Sequence, residues 1–446
     1  MIPSSQHSAV PHGRSTVVPP TLPLVPEQRY SRPLPLSRLH LLIWLVAISL
    51  IVPSYLAGTR VFGFNVTGWA WVIPLIASLV ELTVNSSRKT TFPIVLWAPW
   101  LLVLILNLSF RYHQDALQKT LQLLTPLLVA MAASQLRPTA ADIQGFLRLM
   151  RILFVFFVCS VALHLPHVLK LSLSGNSSMA PHAITSVLFA TFFFTLIRNG
   201  IPSHGKYMLV SSFIAPATMV RGAIMGLMAV FVTNFSRMRI AIRVTAIIVI
   251  GICALAAFST PFVQRRMFRS GEGTISDMRM ENHNFDMGGR QAMWDLLADG
   301  IRVSPFVGHG ANAHATALRN AKLIIEPHND WLRISYDYGI PFAAFFPICI
   351  LLQIRHAYIR AKRSTLYVRV LYLTGISAFV PFALLMLTDN IIVYAQFFGN
   401  LQFLILGLAY GADAAERARV PSEQVADRLK SYSTRQPVLH KSSTLP

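Results

Sequence analysis

The stretch LHLLIWLVAISLIVPSYLA, residues 39–57, contains no formally charged side chain. About 20 apolar residues in a helix cross the hydrocarbon core of a bilayer, which is about 30 Å thick. Within lipid the backbone must satisfy its own hydrogen bonds, so a stretch of this kind is expected to be helical. Similar uncharged stretches recur at 92–110 and 244–260. The sequence therefore predicts an all-α polytopic membrane protein.

The overall composition fits a membrane protein better than a soluble one. Of the 446 residues, 54% are hydrophobic and only 13% are charged, whereas soluble domains average about 25% charged residues. The formal net charge of +21 would suggest a nucleic-acid partner in a soluble protein. Between residues 261 and 338, however, nine basic residues balance nine acidic ones, so the excess lies in short loops and tails. That distribution is typical of membrane topology, and we expect no nucleic-acid partner.

The charges in the loops predict which side of the membrane each loop faces. Arg32 and Arg38 precede the first span, and with this end in the cytoplasm every alternate loop is basic, as the positive-inside rule requires. Both termini are then cytoplasmic tails, 1–38 and 411–446, whose composition predicts disorder. The transmembrane domain, 39–410, has about twelve predicted spans, or ten if the two short ones between 207 and 236 do not cross: 39–57, 66–84, 92–110, 117–134, 150–170, 182–197, 207–220, 222–236, 244–260, 339–354, 367–387 and 391–410.

The long stretch 261–338 is predicted to be a loop on the opposite, periplasmic face. It holds 9 of the 18 acidic residues and has helical patterns of its own. Long loops are translocated largely regardless of their charge, and loops of this size are usually functional or disordered. We therefore expect a small, partly helical cap that carries the chemistry.

The first candidate site residue in this loop is Arg290. It follows Gly288 and Gly289 and opens a helical pattern that contains Trp294 and is expected to end at Gly300. The helix dipole disfavours a cation in the first turn and favours an anion there. Arg290 and the free backbone amides could therefore share an anionic ligand such as phosphate. The simpler alternative is a surface arginine bonded to an acidic residue of the loop.

A second candidate, His328, lies in the sequence EPHND, residues 326–330. Asn329 or Asp330 is a natural N-cap, which places His328 just outside the amino end of a helix that re-enters the membrane. The positive end of the helix dipole favours the neutral imidazole, and a neutral imidazole can accept a proton. The alternative is a histidine that only forms a hydrogen bond within the turn.

The third candidate, Arg221, is an isolated charge between two short apolar stretches on the outer side. A charge inside the membrane costs about 2.5–3.5 kcal/mol on insertion scales, so such residues tend to be functional. The alternative, given the same weight, is that the long Arg221 side chain extends to the membrane–water interface without a functional role. The three candidates form a coherent set, because two cations can hold a pyrophosphate while a neutral histidine activates a hydroxyl.

No metal or cofactor is predicted. Cys159, Cys253 and Cys349 all lie in apolar stretches without paired spacing. The loop contains no Asp-x-Asp pair, and His309 and His314 do not have a standard ligand spacing. We therefore expect chemistry that does not depend on a metal ion.

The order of these motifs resembles that of the bacterial O-antigen ligase and O-antigen polymerase superfamily. The matching features are Arg-Gly-Ala at 221–223 opening a late helix, Arg290 and Trp294 before Pro305, Gly308 and Gly310, and His328 and Asn329 before Leu332 and Gly339. The resemblance covers about residues 181–339, and the rest of the chain is similar only in its hydrophobic topology.

The resemblance implies a metal-independent glycosyltransferase of the bacterial inner membrane. Such an enzyme transfers an oligosaccharide from undecaprenyl pyrophosphate to an acceptor hydroxyl at the periplasmic face. Arg221 and Arg290 would contact the pyrophosphate and His328 would be the base. The further substrate-binding candidates are Trp294, His309 and Asn329. A polymerase of an exopolysaccharide or O-antigen is preferred to a ligase that uses lipid A core. The preference rests on the greater diversity of the polymerases and not on any residue.

Two other functional classes stay open. A transporter or flippase for the same lipid-linked glycan would need ionisable groups near the membrane midplane and inverted repeats. The few such groups, Glu81, His164 and His182, lie near predicted span ends. A scaffold within a polysaccharide export complex would leave the arginines and the histidine without a purpose, and other export proteins are possible partners.

Overall fold

The structure, a computed structural model, describes residues 40–433 except 57–58, 62–63, 111–112, 114, 173–178, 219, 280–281, 283, 287–288 and most of 236–257. Nearly all regular structure in the described residues is helical, with one short antiparallel pairing of Arg60–Val61 with Phe64–Asn65. The longer helices are Leu41–Tyr55, Val72–Val84, Ala98–Phe110, Ala116–Gln135, Ala140–Ser172, Ala180–Arg198, Gly205–Ala217, Arg221–Phe235, Arg290–Val303, Phe345–Ala361, Leu366–Ser377 and Gly399–Ser433. The shorter ones are Val66–Trp69, Ile94–Trp97, Pro202–His204, Pro261–Met267, Ile275–Asp277, Ala313–Asn320, Asp330–Tyr338, Ile340–Ala343, Phe379–Leu385 and Ala395–Phe397.

Several of these helices are apolar enough to lie in a membrane. In the described part of the chain, five helical stretches are also long enough to cross it: Ala116–Gln135, Ala140–His164, Ala180–Arg198, Ile340–Ala361 and Leu366–Leu385. Shorter apolar helices are Leu41–Tyr55, Val72–Val84, Ile94–Ser109 and Arg221–Asn234. The chain is therefore a helical membrane protein, as the sequence predicts. The count of about twelve spans stays a prediction, and the predicted span 244–260 lies largely outside the described residues.

The connection expected between the predicted spans 117–134 and 150–170 is largely helical in the structure. The helix Ala140–Ser172 begins ahead of the predicted span at 150. Its start is fixed by Thr139 and Asp142, because the Thr139 N–H donates to Asp142 Oδ2 (2.9 Å) and the Asp142 N–H donates to Thr139 Oγ1 (3.3 Å). This reciprocal arrangement satisfies two backbone donors that a helix start leaves without partners.

The predicted last span, 391–410, begins too early. Residues 391–398 form turns and a short 3-10 helix, and the regular helix runs from Gly399 to Ser433. It therefore continues past residue 410, where the tail was expected to begin. Ile391 and Ile392 are buried, and hydropathy alone does not distinguish a buried apolar turn from a helix.

The helix Gly399–Ser433 packs closely on Ala116–Gln135 through two glycines. A Cβ at Gly407 would overlap the Ala130 carbonyl oxygen, and one at Gly411 would lie 2.9 Å from the Ser134 carbonyl oxygen. Glycines four residues apart allow helices in membranes to approach backbone to backbone. The amino end of the last helix lies next to the middle of Ala116–Gln135, where Gly399 faces Pro126.

We expect Gly407→Ala to lower the free energy of unfolding of the protein in detergent by roughly 1–3 kcal/mol, the usual cost of overpacking. The melting temperature should fall with it. Gly399→Ala is the control for adding a methyl group to the same helix, because its Cβ would lie an ordinary 3.5 Å from Pro126. The melting temperatures of the two variants and the wild type provide the comparison. Equal melting temperatures for the two variants would contradict the close approach.

Residues 261–338, here called the cap, form a small folded unit with its own apolar core. The core residues are Met293, Leu297, Ala313, Leu318 and Tyr336. The prediction that a helix ends at Gly300 is wrong, because Arg290–Val303 continues through it. A Cβ at Gly300 would overlap the Tyr336 ring, so this glycine permits close packing inside the cap.

Candidate active site

Two predicted site residues of the cap, Arg290 and His328, meet at residues 388–390, which follow the helix Phe379–Leu385. Arg290 Nη1 donates to the Thr388 carbonyl oxygen at 2.9 Å. His328 Nδ1 lies 3.4 Å from Asp389 Oδ1 and 3.4 Å from Asn390 Nδ2. The segment 388–390 is therefore a common contact for an arginine and a histidine that are distant from it in the chain.

The helix Asp330–Tyr338 holds this arrangement in place. The side chain of Asn329 caps it by accepting the Leu332 N–H at 3.0 Å, which confirms the predicted N-cap. The Asp330 N–H donates to the Met386 carbonyl oxygen at 2.7 Å, and Asp330 Oδ2 accepts the Ile392 N–H at 2.8 Å. The amino end of the helix is thus fastened to both sides of the 388–390 segment.

His328 is held in an uncommon backbone conformation. Its φ of 52° lies in the left-handed region, which costs a residue other than glycine on the order of 1–3 kcal/mol. Trp294 Nε1 donates to the Pro327 carbonyl oxygen at 2.7 Å and so holds the preceding peptide. Asp389, mostly buried, faces the imidazole from the other side. Hydrogen bonds of 3.4 Å are long, but catalytic hydrogen bonds often tighten only when substrate is bound.

Arg290 is the first residue of its helix, as predicted, and follows Gly289, whose φ is 75°. Burial lowers the pKa of Arg290, and the nearby Asp389 partly offsets that effect. A guanidinium has an ordinary pKa above about 12, so it keeps its charge. The site therefore contains a largely buried cation beside the carboxylate that faces His328.

Arg221 opens the helix Arg221–Phe235 on the opposite side of the same segment. Its Nη2 donates to the Asp286 carbonyl oxygen at 2.9 Å, and its guanidinium lies 5.4 Å from the centre of the Phe285 ring. A Cβ at Gly222 would overlap Thr388 Oγ1. The backbone next to Arg221 therefore packs directly on the segment that Arg290 and His328 contact.

Asp389 is a site residue that the sequence analysis missed. The sequence places it only in a short connection on the outer side, whereas the structure puts its carboxylate beside His328. The available signal was an acidic residue between two apolar stretches, since ionisable groups in such positions are often functional. Nothing in the local pattern indicated its partner.

His309 makes its described contacts elsewhere. Its Nε2 lies 2.9 Å from the Gly300 carbonyl oxygen, and its ring stacks on Tyr336 with 4.3 Å between ring centres. The His309 carbonyl oxygen also lies 3.0 Å from Nε2 of His113, in the connection that precedes Ala116–Gln135. These contacts give His309 a packing role, and its predicted role in substrate binding stays a prediction.

A partly buried ionic cluster anchors the turn that carries His328. Lys119 Nζ lies 2.6 Å from Glu326 Oε1, and Arg333 Nη1 lies 3.2 Å from Asp330 Oδ1 and 3.8 Å from Glu326 Oε2. Burial alone would raise the pKa of Glu326, but Lys119 and Arg333 together lower it to about 2. Glu326 is therefore ionised at neutral pH and ties the turn to the helix Ala116–Gln135.

Among the residues that the structure describes, no three His, Cys, Asp or Glu side chains form a group that could hold a metal ion. His314 and Asp337 are buried together, with Nδ1 and Oδ2 2.8 Å apart, but they form a pair only. Asp337 Oδ1 also accepts the His314 N–H at 3.0 Å, which is consistent with a structural role inside the cap.

Comparison with known proteins identifies one matching region. Residues 207–347 match the family model described as O-Antigen ligase. The match contains Arg221, Arg290 and His328, and it ends within the stretch Ile340–Ala361. No curated protein matches the chain significantly.

Proposed function

We propose that this chain transfers a lipid-linked oligosaccharide to an acceptor hydroxyl, because residues 207–347 match the family model described as O-Antigen ligase. The observation that carries the proposal is the shared contact of Arg290 and His328 with residues 388–390, beside the helix that Arg221 opens. It supports an active site in which positive charge and a proton acceptor face one reacting centre.

In the proposed reaction, the acceptor oxygen attacks the anomeric carbon of the donor. His328 takes the hydroxyl proton, and Asp389 accepts a hydrogen bond from Nδ1 and so leaves Nε2 as the basic nitrogen. The bond between the anomeric carbon and the phosphate oxygen breaks, and its electron pair leaves with the pyrophosphate. Arg221 and Arg290 hold the charge that develops there.

The proposed donor is an undecaprenyl-pyrophosphate-linked oligosaccharide, and the proposed face is the periplasmic side of the inner membrane, with both termini in the cytoplasm. The basic loops on the other side support this orientation. The cap contacts Arg221, at the amino end of one helix, and Lys119, near the amino end of another. Two helices that begin on the same side support the proposed orientation.

Between the two reactions of the superfamily, we propose a polymerase of an exopolysaccharide or O-antigen, with a ligase to lipid A core as the alternative. A strain deleted for the gene and complemented with wild type or His328→Ala distinguishes them. Accumulation of a single repeat unit on the lipid would support the polymerase, whereas stranded long chains on the lipid would support the ligase. Unchanged product from His328→Ala would contradict both.

We expect Arg221→Ala to lower turnover roughly tenfold to a hundredfold, because a hydrogen bond to a charged group contributes about 1.5–3 kcal/mol. Arg221→Lys should recover part of the loss, since it keeps the charge but not the planar donors. Arg319→Ala is the control, because Arg319 is an exposed arginine at the end of a cap helix. The assay is transfer from purified lipid-linked oligosaccharide by protein in nanodiscs. Equal rates for Arg221→Ala and Arg319→Ala would remove Arg221 from the proposed site.

A further inference from the structure

Three apolar side chains are exposed together where the helix Arg290–Val303 ends. Val303 is 80% exposed, Phe306 70% and Val307 50%. Apolar side chains of this size each gain about 1.5–3 kcal/mol when they are removed from water. Such a cluster on the cap therefore indicates a surface that contacts an apolar partner rather than water.

The backbone joins these residues to the start of a membrane span. The Ile340 N–H donates to the Pro305 carbonyl oxygen at 2.7 Å. A Cβ at Gly339 would overlap the Phe306 carbonyl group, and a Cβ at Gly308 would overlap the backbone of Gly339. Residues 303–307 thus lie against the first residue of Ile340–Ala361, the point at which this chain enters the apolar part of the membrane.

The exposed cluster continues the surface of that span. Ile340 and Leu351 are both exposed in the folded chain, Leu351 to 65%, and they lie in a stretch long and apolar enough to cross a membrane. The exposed face of such a span contacts lipid. The cluster is contiguous with this face, because Pro305 is bonded to Ile340.

A polar boundary lies next to the cluster. Arg302 Nη1 and Asp299 Oδ1 form an exposed ion pair at 2.6 Å, on the turn of helix before Val303. An arginine in this position can keep its head group in water while its stem covers apolar surface. Charged residues followed directly by exposed apolar ones are typical of a segment at the membrane interface.

We propose that residues 303–307 insert into the lipid beside the span Ile340–Ala361 and anchor the cap to the membrane surface. The partner is the lipid bilayer itself. Since the other end of the same helix is bonded to Thr388 through Arg290, the helix Arg290–Val303 is held at both ends and lies along the membrane. Its 14 residues extend about 21 Å at about 1.5 Å per residue. This anchor does not depend on the proposed reaction.

Depth measurements by spin labelling test the proposal. The full chain, with its three cysteines replaced by serine, would carry one label at Phe306→Cys or Val307→Cys and be placed in nanodiscs. Leu351→Cys provides the lipid reference and Asn320→Cys, exposed at the end of a cap helix, the water reference. We expect labels at 306 and 307 to be accessible to oxygen and shielded from a water-soluble nickel complex, as at 351.

Two outcomes would overturn the anchor. Accessibility to nickel equal to that at 320 would place the segment in water. Shielding from both reagents, with spin–spin broadening that disappears on dilution with unlabelled protein, would identify a second copy of the chain as the partner. The unsubstituted protein provides an independent measurement if a variant does not fold. A lipid-soluble diazirine should modify residues 303–307 in nanodiscs, and the absence of modification there would also reject the proposal.

Discussion

Replacing His328 is expected to lower turnover by roughly 10²–10⁴-fold, the usual contribution of a general base. The informative variant is His328→Asn, because asparagine tolerates the left-handed backbone that His328 adopts. It therefore removes the basic nitrogen without adding the strain that alanine would bring. Transfer by protein in nanodiscs, measured at matched protein amounts, gives the rate.

The partner of His328 provides a second measurement on the same proposal. Asp389→Asn preserves the size of the side chain but removes the negative charge that would hold the proton on Nδ1 of His328. We therefore expect kcat to fall while KM changes little. His40→Gln is the control, because the described partners of His40 are Leu42 and Glu81, which lie outside the candidate site. Wild-type rates for both His328→Asn and Asp389→Asn would refute the assignment of the base.

Breaking the pair between Lys119 and Glu326 is expected to have the second large effect. Glu326→Gln leaves the partly buried Lys119 charge without its carboxylate, and Lys119→Met leaves Glu326 with the more distant Arg333 at 3.8 Å. Since both side chains are partly exposed, each loss is expected to fall below the roughly 3–5 kcal/mol of a fully buried pair. Because the pair ties the turn before His328 to the helix Ala116–Gln135, turnover should fall together with the melting temperature. Lys119→Arg keeps the charge and should retain most of both.

A double-mutant cycle with Lys119→Met and Glu326→Gln provides the decisive comparison, because neither substitution adds a charge next to Arg333. If Lys119 and Glu326 act as a pair, the double variant should lose less than the sum of the two single losses. Losses that simply add would show that the two residues act independently. The melting temperature in detergent and the transfer rate are the two measurements.

The same pair predicts a pH dependence of stability. The folded chain lowers the pKa of Glu326 to about 2 from its ordinary 4.5, so the stabilisation is fully present above the ordinary value. It is lost as pH falls from about 4.5 towards 2, because protonation is easier in the unfolded chain. Glu326→Gln should lack this component, which is visible as a smaller drop in melting temperature between neutral and acidic pH.

Local patterns predicted the residues whose roles depend on near neighbours. Arg290 opens its helix because two glycines precede it, and Asn329 caps the next helix with a bond to Leu332, three residues on. The Arg-Gly-Ala pattern likewise begins a helix at Arg221. In each case the signal lies within one helical turn, which is the range over which sequence patterns are informative.

Contacts between distant parts of the chain could not be predicted in this way. Asp389 lies 61 residues from His328, and Lys119 lies 207 residues from Glu326. A single sequence carries no information about which charges will meet over such separations. The role of Gly300 could not be predicted either, because it depends on close packing against the Tyr336 ring and not on the neighbouring residues of the helix.

The position of residues 388–390 after the helix Phe379–Leu385 also has a consequence for synthesis. Arg290 and His328 leave the ribosome before the segment that both of them contact. A nascent chain that stops before residue 388 has both cations and the histidine but no carboxylate to orient the imidazole. Under the proposed function, we therefore expect a chain truncated before residue 388 to be inactive in transfer, because the carboxylate that would orient the imidazole is absent.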